Sequence, residues 1–430
     1  MGPLGRYVRG LDPRLPREVW LLQTGGLVNS FGNGVVLPFL IIYFHNVRGI
    51  PLGLAGLAAA ANSAGALVSG FVAGSLSDRL GPRRVLMGSL LVMTGAICLF
   101  PLIRSAWSAL LLNALLGTGS GAFWPSQSSL LTSLSPASKR HSAFAVQRVT
   151  MNLGIALGGL TGGLIASSAH PETFTVLFFL DAVTFVGYAI ALTRLREPRT
   201  HAEHHEPGRY ADVVRDGVFI RYVLLNAVFM AASMAVWVEL LPPFAKNRAH
   251  VSEAGVGVIW LVDAIAVVVL QLPVAKLAEG RRRMRGLALM GCIWAASMLA
   301  FGAIGAWTSA ALAAGLMALT TVAFALGECL HGSIQGPLVA DLAPPRLVGR
   351  YMAFSSQSWQ IGWIIGPAAG GFILQHSPLL LWPIAAGVNL IASGWALALE
   401  RRLPRSVRRT PSGVQQLPEA EPRLAAGTPG

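Results

Sequence analysis

The sequence predicts an all-α membrane protein, with twelve transmembrane helices in two pseudo-symmetric six-helix bundles. Three observations lead there: an apolar, charge-poor composition, twelve long apolar runs, and a glycine and arginine pattern that recurs from one half to the other. Of the 430 residues, 53% are hydrophobic and 12% charged, and the mean hydropathy is +0.58. Soluble domains carry about a quarter of their residues as charges. A chain of this length has more apolar surface than one water-soluble core can hide. The runs are too long for strands of a closed barrel and lack their strict alternation.

Taken in order, Met1 to Trp20 is basic and broken by Pro and Gly. No small-residue cleavage site follows, so the first apolar run reads as a retained membrane helix. A hydrocarbon core of roughly 30 Å takes about 20 apolar residues. Such runs lie near 19–44, 51–75, 85–104, 107–131, 142–168 and 172–193, then near 219–241, 254–277, 286–306, 308–332, 351–375 and 378–399. The expected organisation is a bundle over 1–193, a cytoplasmic linker over 194–218, a second bundle over 219–402 and a structureless tail over 403–430. The tail is rich in Pro, Gly, Ala and Arg. Within the linker, Tyr210 to Phe219 suits a short surface helix. His201, His204 and His205 lie there among acids and prolines, a solvated segment rather than a metal site. No metal and no cofactor is expected.

The formal net charge of +14 is distributed by side. All but four of the 33 Lys and Arg fall on the face that carries the N-terminus; the exceptions are Arg48, Arg104, Lys246 and Arg248. This asymmetry places both termini in the cytoplasm and explains the charge as membrane-flanking loops rather than a nucleic-acid surface. Few lysines beside many arginines and alanines suggest a bacterial source, hence a multi-pass protein of the bacterial cytoplasmic membrane. Cys98, Cys292 and Cys329 fall inside apolar runs and read as small core residues.

The halves repeat. Gly154, Gly158, Gly162 and Gly163 in the fifth run recur 208 positions later as Gly362, Gly366, Gly370 and Gly371, and Pro136 recurs as Pro344. The basic loop LSDRLGPRR (76–84) has an eroded partner in LAEGRRR (277–283). Three features in the same order argue for duplication. Duplicated halves enclosing a midplane substrate site are common in secondary transporters. Glycines at i, i+4 and i+8 line one helix face and admit a neighbouring backbone.

The segment GSLSDRLGPRR, with Gly74, Asp78, Arg79, Gly81, Arg83 and Arg84, follows the second run. In sequence and place it resembles the signature loop of the major facilitator superfamily. Gly81 permits a tight turn, Asp78 suits a helix end, and the arginines suit anionic headgroups. The resemblance implies the major facilitator fold and a gating role for this loop. It points most to the twelve-helix drug:proton antiporter branch. Gly32 with Pro38 resembles an exporter pattern, and Gly362, Gly366, Pro367, Gly370 and Gly371 resemble the antiporter motif. That motif usually lies in the fifth helix, where this sequence has Gly159 in place of the proline. The branch often carries an arginine in the fourth helix that is implicated in proton coupling. Here the position is Asn113, four residues before Gly117.

An ionisable residue at the centre of a membrane helix costs about 2.5–3.5 kcal/mol on insertion scales, so each one marks a functional candidate. Asp181 and Asp263 fall near the midplane, Glu328 nearer the cytoplasm, Glu239 near the outer end, and Arg148 is the principal intramembrane cation. A proton-coupled carrier needs a carboxyl that takes a proton on one side and releases it on the other. Asp263, Glu328 and Asp181 are the candidates in that order, with Arg148 as charge partner. Glu239 reads as interfacial or as a substrate contact. Trp124, Trp237 and Trp260 offer stacking surfaces to a lipophilic cation. Asn33, Gln127 and Gln360 are polar candidates for the cavity wall.

None of the three lysines follows a glycine, so no phosphate loop exists, and neither GxSxG nor HExxH occurs. The expected function is therefore not enzymatic. It is secondary transport of a small lipophilic solute by alternating access, as proton-coupled drug efflux. The alternative is a carrier of the same fold for a sugar, peptide or lipid, with or without proton coupling. The expected partners are the solute, protons and membrane lipids, with the monomer as the working unit.

Overall fold

The computed structural model describes residues 15–136, 139–195, 210–307, 309–344 and 347–410. Twelve long helices stand where the apolar runs lie. The first half holds α1 (Arg17–Val47), α2 (Leu52–Leu80), α3 (Pro82–Cys98), α4 (Ala106–Leu134), α5 (Arg140–Ile165) and α6 (Glu172–Thr193). The second holds α7 (Gly217–Asn247), α8 (Glu253–Ala278), α9 (Arg283–Trp307), α10 (Ala310–Leu342), α11 (Val348–His376) and α12 (Leu381–Glu400). Nine of them, among the described residues, are long and apolar enough to cross a membrane. The other three are α4, α5 and α11. Their small and polar positions, such as Asn113, Gln127, Gly154, Ser355 and Ser358, are buried against protein, where hydrocarbon solubility is not demanded.

Packing repeats with the chain. In the first half α1 packs on α5 and α6, α2 on α4, and α3 on α4 and α6. In the second, α7 packs on α11 and α12, α8 on α10, and α9 on α10 and α12. The halves meet along two principal pairs, α2 with α11 and α5 with α8. The glycine stripes account for both kinds of seam. Gly154, Gly158 and Gly162 lie against the carbonyls of Leu27, Phe31 and Val35 on α1, and Gly362 and Gly366 against those of Ala227 and Ala231 on α7. Gly370 abuts the side chain of Leu240. Gly163 and Gly371 serve the contact between halves: a Cβ on Gly163 would lie 3.0 Å from the Cα of Gly257, and one on Gly371 3.2 Å from that of Gly56.

The two basic loops correspond more closely than their sequences. Gly81 has φ 86° and Gly280 φ 69°, a left-handed region that favours glycine, so the eroded loop keeps the turn. Each loop is tied to the last helix of its own half: Arg83 donates to Thr193 O at 3.1 Å, and Arg282 pairs with Glu400 at 2.8 Å.

Two expectations change. The surface helix covers only Tyr210–Arg215, because Asp216 ends it: its Oδ1 accepts from Val218 and Phe219 N at 3.0 Å and so caps α7. The tail does not become structureless at 403. Residues 405–407 form a helical turn, and Thr410 exchanges backbone hydrogen bonds with Gly280 and Arg281 at 3.1 and 3.0 Å, which satisfies amides that the loop would otherwise expose. Residues 411–430 and the linker histidines 201, 204 and 205 lie outside the described residues.

Candidate substrate and coupling site

Helices α8 and α10 bring the two leading acids together. Asp263 and Glu328 lie within electrostatic range of each other, and Arg148 of α5 acts on Glu328 from the opposite half. One turn beyond Glu328 on α10 is Gly332, whose bare face admits the guanidinium: a Cβ there would sit 3.1 Å from Arg148 Nη2 and 3.7 Å from Gln271 Oε1. Gln271 of α8 donates through Nε2 to Ser333 Oγ at 3.3 Å. Asp263 Oδ1 and Gln271 Oε1 are buried acceptors with no hydrogen-bond partner among the described residues. No ion pair within 4.0 Å joins Arg148 to either acid among those residues. The result is one cation, two carboxyls and unfilled acceptors at the junction of the halves.

A second group of residues carries no mark in the motif reading. His331, one turn from Glu328, is buried, and its Nε2 donates to Asn226 Oδ1 at 2.7 Å. Asn226 Nδ2 donates in turn to Ser358 Oγ at 2.7 Å, tying α10, α7 and α11 together. The His331 ring stands edge-on to Trp359 with centroids 5.5 Å apart. The available signal was an intramembrane histidine, as rare as an intramembrane acid. Above this network runs an aromatic wall. Trp294 and Trp237 stack on the two sides of Phe324, each with centroids 5.4 Å away, and Trp260 lies 5.2 Å from Trp237.

The first half holds polar groups of its own. Gln23, Ser30, Trp124, Gln127, Gln147 and Thr150 line a small polar recess among α1, α4 and α5. Gln127 donates to Tyr188 OH at 3.0 Å and leaves its own Oε1 without a partner. Asn33 spends its amide on Asn29 O at 3.1 Å. Gln360 is half-buried on α11.

Other candidates stand apart. Asp181 is 2% exposed, packs against α1 at Gly32 within its own half, and accepts from Thr184 Oγ1 at 3.4 Å. It does not join Asp263 and Glu328. Glu239 is 7% exposed with Oε2 unpaired, so it is buried rather than interfacial. In the signature loop, Arg79 and Arg84 are exposed and Gly74 has open space before it, while the side chain of Asp78 lies outside the described set. Asn113 is fully buried and donates to Ala109 O at 3.0 Å, so it places no charge in the interior.

Twelve helices packed as two like halves, with a cation of one half set near two carboxyls of the other, define a multi-pass membrane transporter. The chain belongs to the major facilitator superfamily, whose family model matches residues 23–330. It is 24% identical over 388 residues to the uncharacterized MFS-type transporter YqjV of Bacillus subtilis (strain 168), covering 86% of this chain and 91% of that one. It is 26% identical over 400 residues to the multidrug resistance protein MdtH of Salmonella typhimurium (strain LT2), covering 90% and 95%. Among solved structures, the nucleoside transporter NupG matches with TM-score 0.74 at 10% identity, covering 89% of this chain and all of that one. A D-xylose-proton symporter matches with TM-score 0.72 at 15% identity, covering 91% and 98%. At such identities these structures speak for the fold. Members of this family are transporters of small molecules rather than enzymes.

Proposed function

We propose that this protein exports small lipophilic solutes across the bacterial cytoplasmic membrane in exchange for protons. The observation that carries this reading is that Asp263 and Glu328 lie within electrostatic range of each other in one half, with Arg148 of the other set against Gly332, one turn from Glu328. Arg148 balances one carboxylate. Asp263, with no cation paired to it among the described residues, is left to take either a proton or a cationic solute, and competition between the two is what an antiporter requires. Trp260 and Trp359 offer π faces to such a cation. The similarity to a multidrug resistance protein supports the substrate class.

The halves are joined at the end away from the arginine-rich loops. There Gln375 Oε1 accepts from Gly53 N at 2.9 Å, Asn46 donates to Asn247 at 2.6 Å, and Glu253, paired within its own half to Lys246 at 2.8 Å, accepts from Ser168 Oγ of the other half at 2.8 Å. With the arginine loops in the cytoplasm, this joined end is the outer one. The bundles 1–193 and 219–402 then rock as two bodies about the linker 194–218, the gating loop after α2 riding on the first.

Uptake of a cationic dye into inverted membrane vesicles tests the reading. Asp263→Asn and Glu328→Gln are each expected to abolish the uncoupler-sensitive part of transport. If both variants leave that part intact, the coupling site is elsewhere. Asn113, standing where the branch often has arginine, favours a second reading: an uncoupled carrier of a sugar, peptide or lipid. In that case the uncoupler has no effect on the wild-type protein.

A further inference from the structure

A cleft of about 590 Å³ opens between α8, α9 and α10 at their arginine-rich end, closed on one side by the chain after α12. None of the groups of the coupling site lines it. Its mouth is cationic, with Arg281, Arg282, Arg285 and Arg409 around it and Arg283 buried behind them. Its depth is apolar: Leu277 and Leu289 stand 61% and 54% exposed, with Ile293, Leu326 and Leu330 further in. From Arg285 to Ile293 the wall descends eight residues of helix, about 12 Å. Gly286 lets α9 approach α10 closely beside the cleft, since a Cβ there would lie 2.5 Å from Ile334 Cδ1.

The charge at the mouth is in excess. Asp341 takes Arg283 at 2.5 Å, and Glu400 takes both Arg282 at 2.8 Å and Arg285 at 3.6 Å. Glu279 is exposed nearby and is not part of the wall. Arg281 and Arg409 have no carboxylate within 4.0 Å among the described residues. Their geometry is built rather than accidental, because the backbone pairing of Thr410 with Gly280 and Arg281 brings Arg409 to the rim. A ligand that matches this cleft has an anionic head at the membrane surface and at least one apolar chain running down along the helices.

We infer that the cleft between α8, α9 and α10 binds an anionic phospholipid. A soluble anion leaves the apolar depth empty, and a zwitterionic lipid brings its own cation to the arginines. The volume suits a headgroup, its glycerol and the upper part of a chain, within the ordinary range of roughly 300–1,000 Å³ for small-molecule sites. Basic pockets between helices on the cytoplasmic side are suited to such headgroups.

Native mass spectrometry of the full-length protein in detergent tests this, with phosphatidylglycerol or phosphatidylcholine added at equal concentration. Phosphatidylglycerol is expected to remain bound in preference. The double variant Arg281→Gln/Arg409→Gln is expected to lower its affinity roughly thirtyfold, at about one headgroup-range interaction lost per arginine. Arg281→Lys/Arg409→Lys is expected to restore most of it, and Leu289→Trp, which fills the apolar depth without touching charge, to weaken it as well. Equal retention of the two lipids overturns the proposal, as does unchanged phosphatidylglycerol binding in both Arg281→Gln/Arg409→Gln and Leu289→Trp. Displacement by millimolar inorganic phosphate overturns it too, because it marks a bare anion site. Melting temperatures of the variants within a few degrees of wild type confirm that each has folded.

Discussion

His331, Asn226 and Ser358 form a chain of buried polar groups in which every link matters to the next. Replacing Asn226 by Leu strands the His331 donor, while Ser358 keeps its own bond to Ser355 O at 2.6 Å. The expected cost is about 1–3 kcal/mol for the buried group left unsatisfied. It is read as a lowered melting temperature of the purified protein in detergent, and an unchanged value contradicts the network. Arg148 calls for the opposite outcome. It is exposed to the interior and has no direct ion pair among the described residues, so Arg148→Gln is expected to leave stability nearly untouched. On the proposed mechanism, its field on Glu328 is what transport uses. Losing that through-space interaction is expected to lower flux on the order of tenfold, or about 1.4 kcal/mol. Vesicle transport at matched protein level measures it, and wild-type flux in the variant removes Arg148 from the site.

At the scale of elements, the same seams that allow close packing set the position of the halves. Gly163 on α5 faces Glu253 O and Gly257 on α8; a Cβ would come within 2.7 Å of that carbonyl. Gly163→Leu is therefore expected to hold α5 away from α8 and arrest the cycle while the bundles stay folded. Lost transport with a retained melting temperature is the signature. The latch on the same helix acts in the other direction. Glu253 is held by Lys246 and by two donors of Ser168, and this joins α8 to the loop before α6. Glu253→Ala removes the acceptor of both Ser168 donors across the halves, worth roughly 1–2 kcal/mol, and is expected to shift the population toward outward opening by about tenfold. An impermeant thiol reagent added outside reports this as faster labelling of a cysteine placed at Val256. No acceleration means that the latch does not hold the closed end.

For the whole molecule, orientation follows from where the arginines collect. Loops 81–84 and 280–285 and the chain after α12 share one end of the bundle, and each loop is bonded to the last helix of its half. A cysteine replacing Arg84 is expected to react with an impermeant reagent in inverted vesicles and not in intact cells; the reverse pattern turns the protein over. Six of one and six of the other helices are legible as apolar runs because the bilayer imposes a length and a polarity on each segment separately. The duplication is legible for a similar reason: the spacing of Gly154 to Gly163 and Gly362 to Gly371 follows the repeat of a single helix, whichever neighbour it meets. So is family membership, carried by the loop from Gly74 to Arg84. The site was legible only in its parts. Asp263, Glu328 and Arg148 are visible as charges in apolar runs, yet nothing along the chain says that the first two meet across α8 and α10 while Asp181 turns to Gly32 on α1. The partners of Asn226 lie 105 and 132 positions away. Their meeting depends on how each helix is rotated about its axis and which neighbour it faces, and hydropathy carries no record of either. The sequence by itself thus determined the helices, their repeat and the loop that names the family, since those constraints act within one segment. Only the tertiary structure decided which charges share a site, that Gly280 keeps the turn its loop seemed to have lost, and that the tail to Thr410 closes a basic cleft. Each of these is a contact between segments far apart in the chain.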